Sequence, residues 1–118
     1  MSKNILIVHS DQGVSFLLKK MLELPNVHYI VKRTYEEVAN AISNNYFDLI
    51  LTDAAINGNF LFQYIEDLKS NAPKTRIIVM SQMDQYSIKA SLKKLGVRDF
   101  ISLPVNFPKV KSLISNYI

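Results

Sequence analysis

Asp53 is the residue of this chain best placed to do chemistry. It closes the stretch Phe47-Asp48-Leu49-Ile50-Leu51-Thr52-Asp53, whose apolar centre has the length of a buried parallel strand. In open α/β sheets, ligands and reacting groups gather beyond the carboxyl ends of the strands, so a carboxylate there is the first candidate for a site. Three polar residues, His9, Ser10 and Asp11, follow a second apolar run, Ile5-Leu6-Ile7-Val8, and Ser81 follows a third, Ile77-Ile78-Val79-Met80. His9 beside Asp53 would make a charge pair near neutral pH, or half a metal site. One histidine and one carboxylate are too few for zinc, and a hydrogen-bonded turn accounts for the same residues. Asp11 has a simpler use: it or Ser10 caps the helix that follows.

The elements that must position these groups are legible in order. Val14, Leu17, Leu18, Met21 and Leu22 recur at helical spacing and predict a helix over about residues 12–24. Pro25 stops it, because proline excludes helix from the residue before it. Val27 to Lys32 alternates in the manner of an edge strand. Thr34 and Glu37 form a capping box for a second helix with Val38, Ala41 and Ile42 inward, ending near Asn44-Asn45. After the Asp53 strand and a loop at residues 56–59, a third helix turns Leu61, Tyr64, Ile65 and Leu68 inward. Residues 76–80 form the fourth strand. Asp84 caps a fourth helix with Ile88, Leu92 and Leu95 inside, closed by Gly96. Residues 98–102 form the fifth strand. Asn106 caps a fifth helix with Pro108 in its first turn and Val110, Leu113, Ile114 and Tyr117 inside.

Five strands alternating with five helices imply an α/β fold with a parallel sheet covered on both faces. Right-handed crossovers favour the flavodoxin-like order 2-1-3-4-5, a (βα)5 three-layer sandwich. That order brings His9, Ser10, Asp53, Ser81 and Leu103 to one rim.

Composition agrees. The 118 residues are 48% hydrophobic and 20% charged, which suits one globular domain over residues 1–118 and excludes disorder. With no cysteine, disulfides and thiolate chemistry are excluded. The opening residues carry only a short apolar run, too short for a signal peptide or membrane span, so a cytoplasmic location is expected. Charge is uneven: residues 1–68 hold 5 Lys/Arg against 8 Asp/Glu, and residues 69–118 hold 9 against 2. The basic half suits an acidic partner, although a solvated lysine-rich face gives the same count.

With these stretches and Gly96-Val97-Arg98-Asp99-Phe100-Ile101-Ser102-Leu103-Pro104, the chain resembles the response-regulator receiver domain, the family of the chemotaxis response regulator, over nearly its whole length. The resemblance implies a two-component signalling module rather than an enzyme. It implies a phosphoacceptor aspartate at Asp53, served by a histidine kinase through a Mg²⁺ ion. The ion would be held by two acidic residues after the first strand, with a Ser or Thr after the fourth and a lysine before the proline after the fifth.

This sequence departs from that pattern. The acidic pair falls on His9 and Ser10, Asp11 lies one place late, and the lysine position is Leu103, before Pro104. Ser81 remains, as does Phe100 at the place of the family's switch aromatic. These departures describe a degenerate receiver, a pseudo-receiver with no cofactor expected and only Asp11 and Asp53 as weak Mg²⁺ ligands.

The expected output is therefore phosphorylation-independent binding of a protein partner, or of itself, through the face of the fourth helix, fifth strand and fifth helix. Lys89, Lys93, Arg98, Lys109 and Lys111 would supply its charge. The alternative is a working phosphoacceptor with a poor Mg²⁺ site. Direct nucleic-acid binding has no helix-turn-helix or arginine-aromatic pattern behind it, membrane binding none either, and the loop after the first strand lacks what a flavin phosphate needs.

Overall fold

The computed structural model describes residues 2–54, 61–81, 86–97, 99–102 and 106–118. The elements run β1 (Lys3–Val8), α1 (Gln12–Met21), β2 (Val27–Lys32), α2 (Tyr35–Asn44), β3 (Leu49–Asp53), α3 (Leu61–Asn71), β4 (Arg76–Ser81), α4 (Tyr86–Lys94), β5 (Asp99–Ser102) and α5 (Phe107–Tyr117). The strands form one parallel sheet in the order β2-β1-β3-β4-β5, the flavodoxin-like arrangement that the alternating pattern predicts.

The two layers on the sheet follow from the period of two within each strand. Leu6, Val8, Ile50, Ile77 and Val79 face one way and pack with Val38 and Ala41 of α2, Tyr64, Ile65 and Leu68 of α3, and Leu92 of α4. Ile5, Ile7, Leu49, Leu51, Ile78 and Met80 face the other way and pack with Leu18 and Leu22 of α1 and Val110 and Ile114 of α5. The inner strands are apolar on both faces because helices cover both.

Local signals set the ends of the elements. Asp11, not Ser10, is the N-cap of α1, its carboxylate accepting the Val14 N–H at 2.9 Å. The capping box at Thr34 and Glu37 is formed on both sides. Asn106 caps α5, accepting the Lys109 N–H. Helix α1 is shorter than its apolar stripe suggests: it ends at Met21, with Leu22 as its C-cap. Pro25 bars helix from Leu24, and Asn26 takes φ 62° to lead the chain into β2.

At the end opposite Asp53, β3 is tied to its neighbours by side chains. The Asp48 carboxylate accepts the Asn4 N–H, and the Thr75 hydroxyl donates to the buried Phe47 carbonyl. No helix among the described residues is long and apolar enough to cross a membrane.

Candidate functional site

Register brings His9 and Asp53 together. Val8 of β1 pairs with Thr52 of β3, so the residues that follow them are neighbours across the sheet. His9 Nε2 lies 3.7 Å from Asp53 Oδ2, in ion-pair range but beyond a direct hydrogen bond. The other ring nitrogen, Nδ1, accepts the Asp11 N–H at 3.0 Å. A nitrogen that accepts carries no proton, so the proton of the neutral ring belongs on Nε2, the nitrogen in ion-pair range of Asp53. The other Asp53 oxygen, Oδ1, accepts the Ala54 N–H at 2.8 Å. The His9 and Asp53 side chains are 13% and 27% exposed, so solvent reaches the pair from the rim.

The turn carrying His9 is fastened on every side. Its N–H donates to Lys32 O, the Ser15 hydroxyl donates to the carbonyls of His9 and Asp11, and Arg33 Nε donates to Ser10 O. The Asp11 carboxylate is turned toward α1. Swinging it toward Asp53 would forfeit a helix cap worth about 1 kcal/mol.

Beneath Asp53 lies a polar group that hydrophobic periodicity does not reveal. Thr52, fully buried, donates to Asp53 O and is within 3.3 Å of the Tyr64 hydroxyl, and the Tyr64 ring meets Tyr35 edge to face. Burial holds the Tyr64 phenol well above the ordinary tyrosine range; the Thr52 hydroxyl opposes this, and Tyr35 and Asp53 add smaller pushes upward. Tyr64 reads as inward from its spacing; that a buried tyrosine needs a partner for its hydroxyl is the signal that points to Thr52.

Ser81 is the last residue of β4, one beyond Met80, which pairs with Asp53. Its side chain lies outside the described residues, as do Leu103, Pro104, Arg98, the Asp84 cap and the side chains of Leu61 and Ile88.

At the β5 edge of the sheet, Phe100 is half-buried against the layer that also holds Tyr64 and Leu92, and the Lys89 ammonium sits 5.5 Å from its ring centroid. Lys89 and Lys109 flank a groove of about 590 Å³ with Phe100, Ile101 and Leu113 along it. Lys93 lies exposed one turn along α4 from Lys89. Lys111 is about 200° around α5 from Lys109, so the two do not serve one face.

The described residues at this rim do not fit a Mg²⁺ ion. It wants several hard oxygens, and a missing charge-assisted contact costs about 1.5–3 kcal/mol. Among the described side chains at this rim, Asp53 offers an acidic oxygen toward the centre, His9 offers an N–H, and Asp11 is committed to α1. Among the described residues no group of three or more His, Cys, Asp or Glu could hold a metal ion.

A doubly covered parallel sheet with an aspartate at the end of its third strand is the plan of a signalling receiver. The family model for the response regulator receiver domain matches residues 5–115, and the chain belongs to that family. It is thus the receiver domain of a two-component response regulator, a signalling module.

The chain is 24% identical over 111 residues to the swarming motility regulation protein RssB of Serratia marcescens, covering 94% of this chain and 51% of that protein. It therefore spans about half the length of this curated relative. Among solved structures it resembles a CheY-like receiver domain protein from Methanospirillum hungatei (22% identity, 98% and 93% of the two chains, TM-score 0.89). It also resembles the chemotaxis response regulator CheY4 of Vibrio cholerae (14% identity, 100% of both chains, TM-score 0.87). At these identities the two structures speak for the fold alone.

Proposed function

We propose that this receiver domain, residues 1–118, works without phosphorylation, as a cytoplasmic docking module for an acidic protein surface or for a second copy of itself. One observation carries the reading: the Asp53 carboxylate is faced by the His9 imidazole, while the Asp11 carboxylate is spent on the cap of α1. The fold is kept while the apparatus for phosphoryl transfer is dismantled. The α4–β5–α5 face is the docking surface, with Lys89, Lys109 and Phe100 lining a groove that Asp99, Asn106 and Asn116 make mixed in polarity, and Lys93 one turn along α4.

Amide NMR titration with Mg²⁺, then with Mg²⁺ and beryllofluoride, tests the first half. The expected result is flat shifts at Asp53, Ser81 and Phe100; saturating shifts overturn the reading. Charge reversal tests the second half. Lys89→Glu with Lys93→Glu should weaken partner binding at least tenfold, and unchanged binding counts against this face.

A second reading has Asp53 as a working phosphoacceptor of a histidine kinase. Its support is the partial exposure of the Asp53 carboxylate at the end of β3. It requires Asp11 to leave its cap, and it fails if Asp53→Asn changes no output.

A further inference from the structure

We infer that His9 is the residue that closes Asp53 to hard divalent cations, by holding a hydrogen-bond donor where such an ion needs an oxygen. This deepens the phosphorylation-independent reading and rests on it.

The two nitrogens of the His9 ring do different work. Nδ1 is engaged by the Asp11 N–H at 3.0 Å, and this fixes the ring plane and leaves the proton on Nε2. Nε2 stands 3.7 Å from Asp53 Oδ2. The protonated nitrogen of the ring is therefore the one in ion-pair range of that oxygen. Oδ1 is already bound to the Ala54 N–H. A cation arriving at Oδ2 from the His9 side would have to push the ring aside. It could bind Nε2 instead only if the proton moved to Nδ1, which would set two donors against each other at the Asp11 amide.

Neither escape is open to a small adjustment. The His9 N–H is held by Lys32 O, and the Ser15 hydroxyl, 2.9 Å from Asp11 O, lies 3.4 Å from the His9 carbonyl. Arg33 braces the next residue through Ser10 O. The side chain is mostly covered, at 13% exposure. Mg²⁺ dehydrates reluctantly and prefers oxygen, so an imidazole N–H is a poor exchange for its water.

Replacement at this position is expected to change that selectivity while sparing the fold. His9→Ala removes the donor and the ring volume; the Asp11 N–H it frees lies at the exposed start of α1, where water satisfies it. His9→Asp does the same and adds oxygens, one of which can still accept the Asp11 N–H as an Asx turn.

The test is ¹⁵N-resolved NMR on the whole chain, titrated with MgCl₂, for wild type, His9→Ala, His9→Asp and His9→Asp with Asp53→Asn. Wild type should show no saturable change at Asp53 or Ala54. His9→Ala should show weak saturating shifts there. His9→Asp should bind at least tenfold tighter than His9→Ala, and the double variant should lose the gain. Unchanged α2 and α5 amides confirm that each variant is folded.

Ring ¹⁵N shifts of wild-type His9 should show Nε2 as the protonated nitrogen; a proton on Nδ1 overturns the inference. If His9→Ala is as silent as wild type while His9→Asp binds, the added carboxylate alone accounts for the gain and the ring's role is overturned. If both single variants are silent, the inference fails and the proposed function stands. If wild type itself binds Mg²⁺ and responds to beryllofluoride, both fail.

Discussion

A single tyrosine shows how one buried hydroxyl ties stability to pH. Tyr29 of β2 is almost fully buried and donates its hydroxyl to Leu22 O at the end of α1. Burial, with a further push from the Glu23 carboxylate, raises its pKa from 10.0 to about 12. The folded protein thus keeps a proton that the unfolded chain releases. The resulting stability is complete below pH 10 and is lost as pH rises through about 12. Tyr29→Phe lacks this term. In urea titrations the stability difference between wild type and Tyr29→Phe should shrink across that window; a difference independent of pH would show that the phenol ionises equally in both states.

Helix α4 shows how an element is closed by backbone geometry. Val97 N–H reaches Leu92 O at 2.9 Å and Gly96 N–H reaches Lys93 O at 3.0 Å, the paired bonds of a Schellman motif. Gly96 has φ 89°, where side chains are strained. A Cβ there would meet only the end of the Lys69 side chain, at 3.5 Å, an ordinary contact. The cost of Gly96→Ala is therefore strain alone, about 1–2 kcal/mol, measurable as a lower urea midpoint with an unchanged slope. Gly96→Asn should cost less.

The elements were mostly legible in the sequence, because caps and breakers are chemical. The Thr34–Glu37 box, Asn106, Asp11 and Gly96 each act through hydrogen bonds or φ that their residue type dictates. Helix α1 marks the limit. Its apolar spacing identifies a helix, yet Val14, Leu17 and Met21 are exposed, and the covered face is Ser15, Leu18 and Leu22. A small polar residue set against the sheet leaves no mark in a hydrophobic pattern, so the stripe gives the helix but not its phase. At the site, strand order and residue type brought His9 and Asp53 to one rim. The direction of the imidazole proton depends on an amide two residues on, which no pattern of types encodes.

At the scale of the whole molecule, the two apolar layers share one sheet, so neither can be lost without the other. Leu6 and Ile7, adjacent in sequence, belong to opposite layers. Unfolding should be a single cooperative transition, with the helical circular-dichroism signal and the near-ultraviolet signal of the 6 tyrosines falling together in urea. Separate midpoints would show that one layer survives alone.

The strand order also bears on how the chain is made. β1 leaves the ribosome first and takes an inner place; β2 closes one side, and β3, β4 and β5 then extend the other side in the order of their synthesis. Every strand after the second finds its template already translated. Until β5 emerges, the growing edge is β4, whose Ile77-Ile78-Val79-Met80 run is apolar on both faces. A nascent chain paused there exposes an apolar edge open to mispairing with another copy.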